Sequence, residues 1–223
     1  MKTFYELQEG LYDPNIFKAF FLAGGPGSGK SFVVRKTTGG LGMRVVNSDD
    51  IFEKLLDKEG LSKKMPASEK EPRDIVRARA KGLTAKKKAN YLEGRLGLII
   101  DGTGKDYDKI ARQATKLKQL GYDVHMIFVN TSLDVALERN AKRARSVPEP
   151  LVVKSWKDVQ QNIGKFSQYF RQNFVVVDNN DAKENDGMIF NSIFKQIKGL
   201  ANKKPTSKIA MAWIANELKK KKR

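Results

Sequence analysis

The sequence predicts an α/β fold in which helices cover both faces of one parallel sheet of five strands. Short apolar runs, each as long as a buried strand, alternate with longer amphipathic stretches, and a glycine-rich turn follows the first run. This alternation indicates repeated strand-helix units, whose strands lie parallel. At 223 residues the chain can bury one such core. The predicted strands are 20–23, 43–46, 96–101, 123–129 and 173–177.

The glycine-rich turn at residues 24–31 separates the first predicted strand from a helix. It reads Gly-Gly-Pro-Gly-Ser-Gly-Lys-Ser and matches the phosphate-binding pattern G-x-x-x-x-G-K-[ST]. Its glycines let backbone N–H groups surround a phosphate, and the helix N-terminus adds partial positive charge. We expect Lys30 to reach the β- and γ-phosphates of a nucleoside triphosphate and Ser31 to bind Mg²⁺. The predicted nucleotide contacts are Gly25, Gly27, Ser28, Gly29, Lys30, Ser31 and Phe32.

Carboxylates follow the second and third predicted strands. Asp49 and Asp50 come after the second strand, and Asp101 ends the third. Ligands of open α/β sheets bind at the C-terminal ends of strands, so these side chains are expected beside the glycine-rich turn. Asp49 or Asp50 is expected to orient and deprotonate an acceptor hydroxyl, unless both only cap the next helix, for which Ser48 or Asp49 is the predicted cap. Asp101 is expected to enter the Mg²⁺ shell, or to position an acceptor held by Thr103.

Two arginines, Arg139 and Arg143, are predicted to lie on a helix that begins at Ser132. Their spacing of four residues places them on one helix face. Guanidinium groups from a mobile segment can stabilise the charge of a phosphoryl group in transfer. The alternative is a solvated basic helix.

The chain is strongly basic, with 43 Lys and Arg residues against 25 Asp and Glu and a formal net charge of +18. A field of this sign attracts polyanions, of which nucleic acid is the commonest large one. Basic residues cluster at 61–95 and 195–223. In the first cluster a predicted helix carries a cationic stripe, which is either a solvated face or a track for a phosphate backbone. The stripe comprises Arg73, Arg77, Lys81 and Lys88.

Composition excludes several other classes of protein. The absence of cysteine excludes a disulfide framework, a thiolate zinc site and a cysteine nucleophile. No apolar run approaches membrane-spanning length, and the first residues lack the pattern of a signal peptide. We therefore expect a cytoplasmic protein with no membrane association and no obligate protein partner. The lone His125 is expected to be structural. The expected parts are a lead-in at 1–17, a catalytic domain at 18–200, and a basic C-terminal helix and tail at 201–223.

Four segments together resemble the kinase domain of phage polynucleotide 5′-hydroxyl kinase and, more loosely, the zeta-toxin kinases. They are the glycine-rich turn, Val-Asn-Ser-Asp-Asp at 46–50, Asp-Gly-Thr at 101–103, and Leu-Glu-Arg-Asn-Ala-Lys-Arg at 137–143 followed by Val147-Pro148. The resemblance covers roughly residues 18–178. It implies a P-loop NTPase fold with an arginine-bearing lid, and transfer of the γ-phosphate of ATP, with Mg²⁺, to a hydroxyl of nucleic acid, with DNA as the expected acceptor. It also implies a phage-encoded protein acting in the host cell.

The resemblance implies a role for individual residues. Asp49 takes the general-base position, Arg143 the place of the essential lid arginine, and Arg139 that of a supporting one. The chain departs from the family pattern at Phe52, where polynucleotide kinases place an arginine that grips the acceptor's phosphate. Nor does the chain contain the D-x-D-x-T signature of a phosphatase domain.

Phe52 leaves the acceptor open. Its ring is expected to stack on a base, while the basic helix supplies the phosphate grip through Arg73 and Arg77. The acceptor is then a 5′-hydroxyl end or a hydroxymethylated base. Two other classes remain: a zeta-toxin-like kinase of a nucleotide sugar or other small metabolite, and a non-catalytic, nucleotide-gated nucleic-acid-binding or virion-associated protein.

Overall fold

The computed structural model describes the chain except residues 1–10, 39, 144–145, 181–185 and 222–223. The described part contains five strands in one parallel sheet of order β2-β3-β1-β4-β5. The predicted fold class is therefore confirmed. The strands are β1 (Lys18–Ala23), β2 (Arg44–Val46), β3 (Leu98–Ile100), β4 (Asp123–Asn130) and β5 (Phe174–Asp178).

Helices cover both faces of the sheet, which is why the central strands read as continuous apolar runs. All six residues of β1 are buried. Two short 3₁₀ turns, at 67–69 and 171–173, accompany the helices. The helices are α1 (Lys30–Thr38), α2 (Ser48–Lys58), α3 (Lys70–Glu93), α4 (Tyr107–Gln119), α5 (Leu133–Ala141), α6 (Glu149–Phe170), α7 (Asp186–Asn202) and α8 (Lys208–Lys221).

The apolar core has three parts. One sheet face packs on α4, α6 and α8, and the other packs on α1 and α7. The third part lies between α2 and α3, which form a helical hairpin with a cluster of its own. This cluster contains Phe52, Leu55, Leu56, Val76 and Ala80. The α2–α3 hairpin therefore holds its two helices together through its own buried side chains.

Three differences from the predicted helix boundaries lie close to the candidate site. The cap of α2 is Asn47, whose side chain accepts from the Asp49 N–H, and not Ser48 or Asp49. The sequence predicts that Pro72 opens the basic helix, with Arg73 as its first residue, but α3 begins at Lys70, because Pro72 is tolerated in a first turn where no intrahelical N–H bond is needed. Helix α5 ends at Ala141, so Arg143 lies beyond it and does not share a helix face with Arg139.

The C-terminal helix α8 packs against the first part of the core. Ala210 is fully buried there, and the Trp213 ring meets Phe17 edge-on at 5.5 Å between centroids. Its apolar residues thus belong to the same core as the sheet. The predicted lead-in and the end of the basic tail lie partly outside the described residues. Within the described part of the chain, no helix combines the length and apolar character needed to span a membrane.

Candidate active site

The glycine-rich turn lies at the C-terminal edge of the sheet, between β1 and α1, as predicted. The Gly24 N–H donates to the Thr103 carbonyl (2.8 Å), so the segment after β3 lies directly beside the turn. The Lys30 ammonium folds back over the turn and donates to the carbonyls of Gly24 (2.5 Å) and Gly25 (3.2 Å). The turn therefore holds its lysine over the cradle that its own backbone forms.

Close packing explains why the turn needs glycine. Gly27 has φ +78°, and a Cβ added there would lie 2.0 Å from the Ala136 carbonyl oxygen of α5. No side chain fits between the turn and this helix. Helix α5, which was expected to carry the mobile arginines, is therefore packed directly on the turn.

Two buried donors fix the carbonyl of Ser28. The Asn179 side-chain amide donates to it at 2.8 Å, and the Thr131 hydroxyl donates at 3.2 Å. The Trp156 indole donates in turn to the Thr131 carbonyl at 2.7 Å, and its backbone approaches Gly25. These three residues shape the turn from outside and were not predicted. Asn179 directly follows β5, so the convergence of strand ends at one sheet edge was the signal that could have found it.

Lys30 interacts electrostatically with three other predicted catalytic or metal-binding residues, Asp49, Asp101 and Arg143. Burial lowers the pKa of Lys30; Asp101 and Asp49 act in the opposite direction, while Arg143 reinforces the shift. Burial raises the pKa of Asp101. Lys30 lowers this pKa, whereas the negative charges of Asp49 and Asp50 raise it further. Charges that couple in this way lie close together. Lys30 therefore lies close to Asp49, Asp101 and Arg143, at the edge of the sheet that carries the glycine-rich turn.

Asp49 forms an ion pair with Arg77 of α3, 2.6 Å between Oδ1 and Nη1. The Arg77 guanidinium also lies over the Phe52 ring, 4.7 Å from its centroid. Phe52 itself is only 3% exposed within the α2–α3 cluster. The expectation that its ring stacks on a base is therefore wrong for this arrangement, because packing already buries the ring and the guanidinium covers it.

The remaining residues predicted to bind the acceptor are Arg73, Asp50 and Thr103. Arg73 donates to the Pro66 carbonyl at 3.0 Å and so braces the loop before α3. Asp50 is exposed and accepts from the Asn47 side chain at 3.1 Å. Burial raises the pKa of Asp50. The negative charges of Glu53 and Asp49 raise it further, whereas Lys54 and Lys87 lower it. The Thr103 side chain is half-buried beside the turn.

The two predicted lid arginines differ in their surroundings. The Arg139 guanidinium donates to the carbonyls of Asn179 (2.6 Å) and Asn180 (3.3 Å), which anchors it on the segment after β5. Arg143 is exposed beyond the end of α5, where its N–H donates to the Asn140 carbonyl. Arg143 is therefore the arginine with room to approach a ligand, whereas Arg139 holds structure together.

A family model described as an AAA domain matches residues 20–165, which is more than half of the chain. The chain belongs to this AAA domain family. No curated protein matches the chain.

Solved structures share the fold of this AAA domain at low identity. A Chloroflexus aurantiacus protein named as a kinase is 16% identical with a TM-score of 0.53, over 83% of this chain and 96% of that one. A chain of the AvrRxo1-ORF1:-ORF2 complex with ATP is 17% identical with a TM-score of 0.61, over 78% of this chain and 58% of that one. A chain of the Pnkp1/Rnl/Hen1 RNA repair complex is 20% identical with a TM-score of 0.53, over 68% of this chain and 47% of that one. These likenesses establish a P-loop kinase-like fold.

The AAA domain's residues fit a nucleoside triphosphate with Mg²⁺. Asp101 Oδ1 and Ser28 Oγ are buried and have no hydrogen-bond partner among the described residues. Ser31 is exposed in the first turn of α1. The Phe32 N–H donates to the Gly29 carbonyl and its ring packs on the core, so this residue supports the turn rather than presenting its side chain. No cluster of three metal-ligating side chains occurs in the described part of the chain.

Proposed function

We propose that this AAA domain is an ATP- and Mg²⁺-dependent kinase that transfers the γ-phosphoryl group to a hydroxyl of nucleic acid. One observation carries the proposal: the loop lysine Lys30 lies close enough to the carboxylates Asp49 and Asp101 and to the exposed Arg143 for each of these charges to act on it. A carboxylate and an arginine beside a phosphate cradle are what phosphoryl transfer requires beyond nucleotide binding.

The residues divide the chemistry among them. Asp49 accepts the proton of the acceptor hydroxyl, whose oxygen forms a bond to the γ-phosphorus while the bond to the β,γ-bridging oxygen breaks. Lys30 and Arg143 stabilise the charge on the migrating group. Ser31 and Asp101 would hold Mg²⁺, which neutralises charge on the β- and γ-phosphate oxygens when bound.

The basic helix α3 supports a polyanionic acceptor. It carries eight basic and three acidic side chains, and its Arg77 already contacts Asp49. Lys87 from the same helix acts on Asp50 electrostatically. An acceptor reaching Asp49 would therefore pass a cationic surface. The RNA repair complex among the similar structures agrees with such an acceptor, although its likeness extends to the fold alone.

The decisive experiment follows the γ-phosphate. We would incubate the protein with γ-labelled ATP and, separately, single-stranded DNA and RNA with 5′-hydroxyl ends, hydroxymethylated DNA, and a mixture of nucleotide sugars and small metabolites. We expect label on nucleic acid and none after Lys30→Ala. Label only on metabolites would instead make the protein a zeta-toxin-like kinase. Nucleic-acid binding that survives Lys30→Ala, with no label on any acceptor, would make it a non-catalytic binding protein.

A further inference from the structure

We propose that Arg77 is a latch on Asp49, which an anionic group of the acceptor opens. The inference rests on the proposed function, because it concerns the carboxylate that activates the acceptor. It adds how that carboxylate is regulated: an acceptor that carries a phosphate beside its hydroxyl opens the ion pair. A neutral alcohol would not open the latch.

The latch is the ion pair between α2 and α3. Arg77 Nη1 lies 2.6 Å from Asp49 Oδ1, and the two side chains are 34% and 43% exposed. A half-exposed ion pair contributes little to stability, so an exchange of partners costs little. While Oδ1 accepts from the guanidinium, that oxygen is not available to take the proton of a hydroxyl.

Phe52 gives the guanidinium a fixed platform. The Arg77 guanidinium lies 4.7 Å above the centroid of the Phe52 ring, which is itself buried in the α2–α3 cluster. Stacking on a ring restricts the plane of a guanidinium while leaving its edge free to hydrogen-bond. Arg77 can therefore exchange one oxygen anion for another at its edge without leaving Phe52.

A phosphate is a better partner for that edge than a single carboxylate oxygen. A guanidinium binds phosphate through two parallel hydrogen bonds, and such charge-assisted pairs are strong. Once the acceptor's phosphate holds Arg77, Asp49 Oδ1 loses its guanidinium partner beside the hydroxyl that the same acceptor carries. A phosphate-bearing acceptor thus exchanges the partner of the general base at the moment when that base is needed.

The latch also predicts that ATP reacts slowly with water while no acceptor is bound. If Arg77 is removed, Asp49 can accept a proton from water, whose oxygen forms a bond to the γ-phosphorus while the bond to the β,γ-bridging oxygen breaks and ADP leaves. Removal of Arg77 should therefore have opposite effects on two reactions. Hydrolysis of ATP without acceptor should rise, and transfer to a phosphate-bearing acceptor should fall.

The first test uses Arg77→Gln with Arg79→Gln as the matched control. Arg79 lies on the same helix and pairs with Glu59 at 3.3 Å, away from Asp49. We expect Arg77→Gln to lower transfer to a 5′-hydroxyl oligonucleotide by about 10- to 100-fold, as for the loss of a charge-assisted hydrogen bond. We expect its acceptor-free hydrolysis of ATP to rise, and Asp49→Asn in the same chain to reverse that rise. Arg79→Gln should leave hydrolysis unchanged.

A second test needs only the unaltered protein. A nucleoside 3′-monophosphate whose 5′-hydroxyl is replaced by hydrogen carries the anion but cannot accept a phosphoryl group. It should stimulate ATP hydrolysis, whereas the corresponding uncharged nucleoside should not. No stimulation, or a fall of both reactions in Arg77→Gln, would overturn the latch. Stimulation by the monophosphate with no label on any nucleic acid would uphold the latch and reject the proposed acceptor polymer instead.

Discussion

Asp49 is the residue on which the proposed chemistry depends most directly. Replacing it by asparagine keeps its size but removes the base, so we expect Asp49→Asn to lower phosphoryl transfer by about 10²- to 10⁴-fold. The affinity for ATP should change little, because the phosphates are expected to bind at the glycine-rich turn and not at Asp49. Transfer assays and ATP titration measure the two quantities.

The control for this variant is Asp57→Asn. Asp57 lies on the same helix, α2, and pairs with Lys63 at 2.9 Å on an exposed surface. Its replacement should leave transfer unchanged. Near-normal transfer by Asp49→Asn with ATP still bound would show that another group deprotonates the acceptor.

A substitution at Asn179 tests whether its hydrogen bond to the Ser28 carbonyl supports the shape of the glycine-rich turn. Asn179→Ala removes one of the two donors to the Ser28 carbonyl, which should cost about 1 kcal/mol of folding stability. Because the turn then loses a restraint on its shape, we expect a KM for ATP several-fold higher, measured by steady-state kinetics. The exposed Asn90→Ala on α3 is the matched control. Equal KM values for the two variants would contradict this role.

His125 makes stability depend on pH. Burial, reinforced by Lys18, lowers the pKa of this imidazole to about 4, and Asp123 opposes the shift. The unfolded chain takes up the proton below about pH 6.5 but the folded chain only near pH 4, so the folded state loses stability as the pH falls through this range. Between pH 7 and pH 5 the free energy of unfolding should fall by about 2 kcal/mol less in His125→Phe than in the unaltered protein. Urea unfolding at both values measures it, and equal losses would refute the assignment.

At the scale of elements, the contact between the glycine-rich turn and α5 can be tested with two glycines. Gly27 and Gly40 both have φ +78°, but a Cβ at Gly27 would lie 2.0 Å from the Ala136 oxygen, whereas one at Gly40 would meet nothing within 4 Å. Alanine at either position costs about 1–2 kcal/mol of backbone strain. Only Gly27→Ala must also push α5 from the turn, so we expect it alone to lose ATP binding. Titration with ATP and thermal unfolding separate the two effects.

The sequence was most informative where structure is local. The strands followed from apolar runs, and the turn around Lys30 from a pattern of eight adjacent residues. Contacts between distant segments were not predictable in this way. Arg77 meets Asp49 across 28 positions and Asn179 meets Ser28 across 151, and neither pairing leaves a periodic signal. Phe52 was misread for the same reason, since its burial depends on α3.

At the scale of the whole molecule, the two basic helices α3 and α8 are placed differently relative to the candidate site. Helix α3 brings Arg77 to Asp49 at the edge where the strands end. Helix α8 packs on Phe17 and beside Gly121, which lie just before β1 and β4 begin. The lysines of α8 therefore belong to the opposite edge from the candidate site. Of these two helices, α3 is the one placed to guide an acceptor toward Asp49.

Because α3 and α8 are placed differently relative to the candidate site, their lysines should contribute differently to the salt dependence of oligonucleotide affinity. We would compare the double variant Lys81→Gln/Lys87→Gln on α3 with Lys219→Gln/Lys221→Gln on α8, which removes the same charge from an exposed basic run. Each phosphate contact to a single strand contributes about 0.7 to the slope of log affinity against log salt. The α3 variant should therefore flatten the slope for an oligonucleotide acceptor by about 1.4, and the α8 variant should leave it unchanged. Equal flattening by both variants would mean that net charge, and not the position of α3, attracts the acceptor.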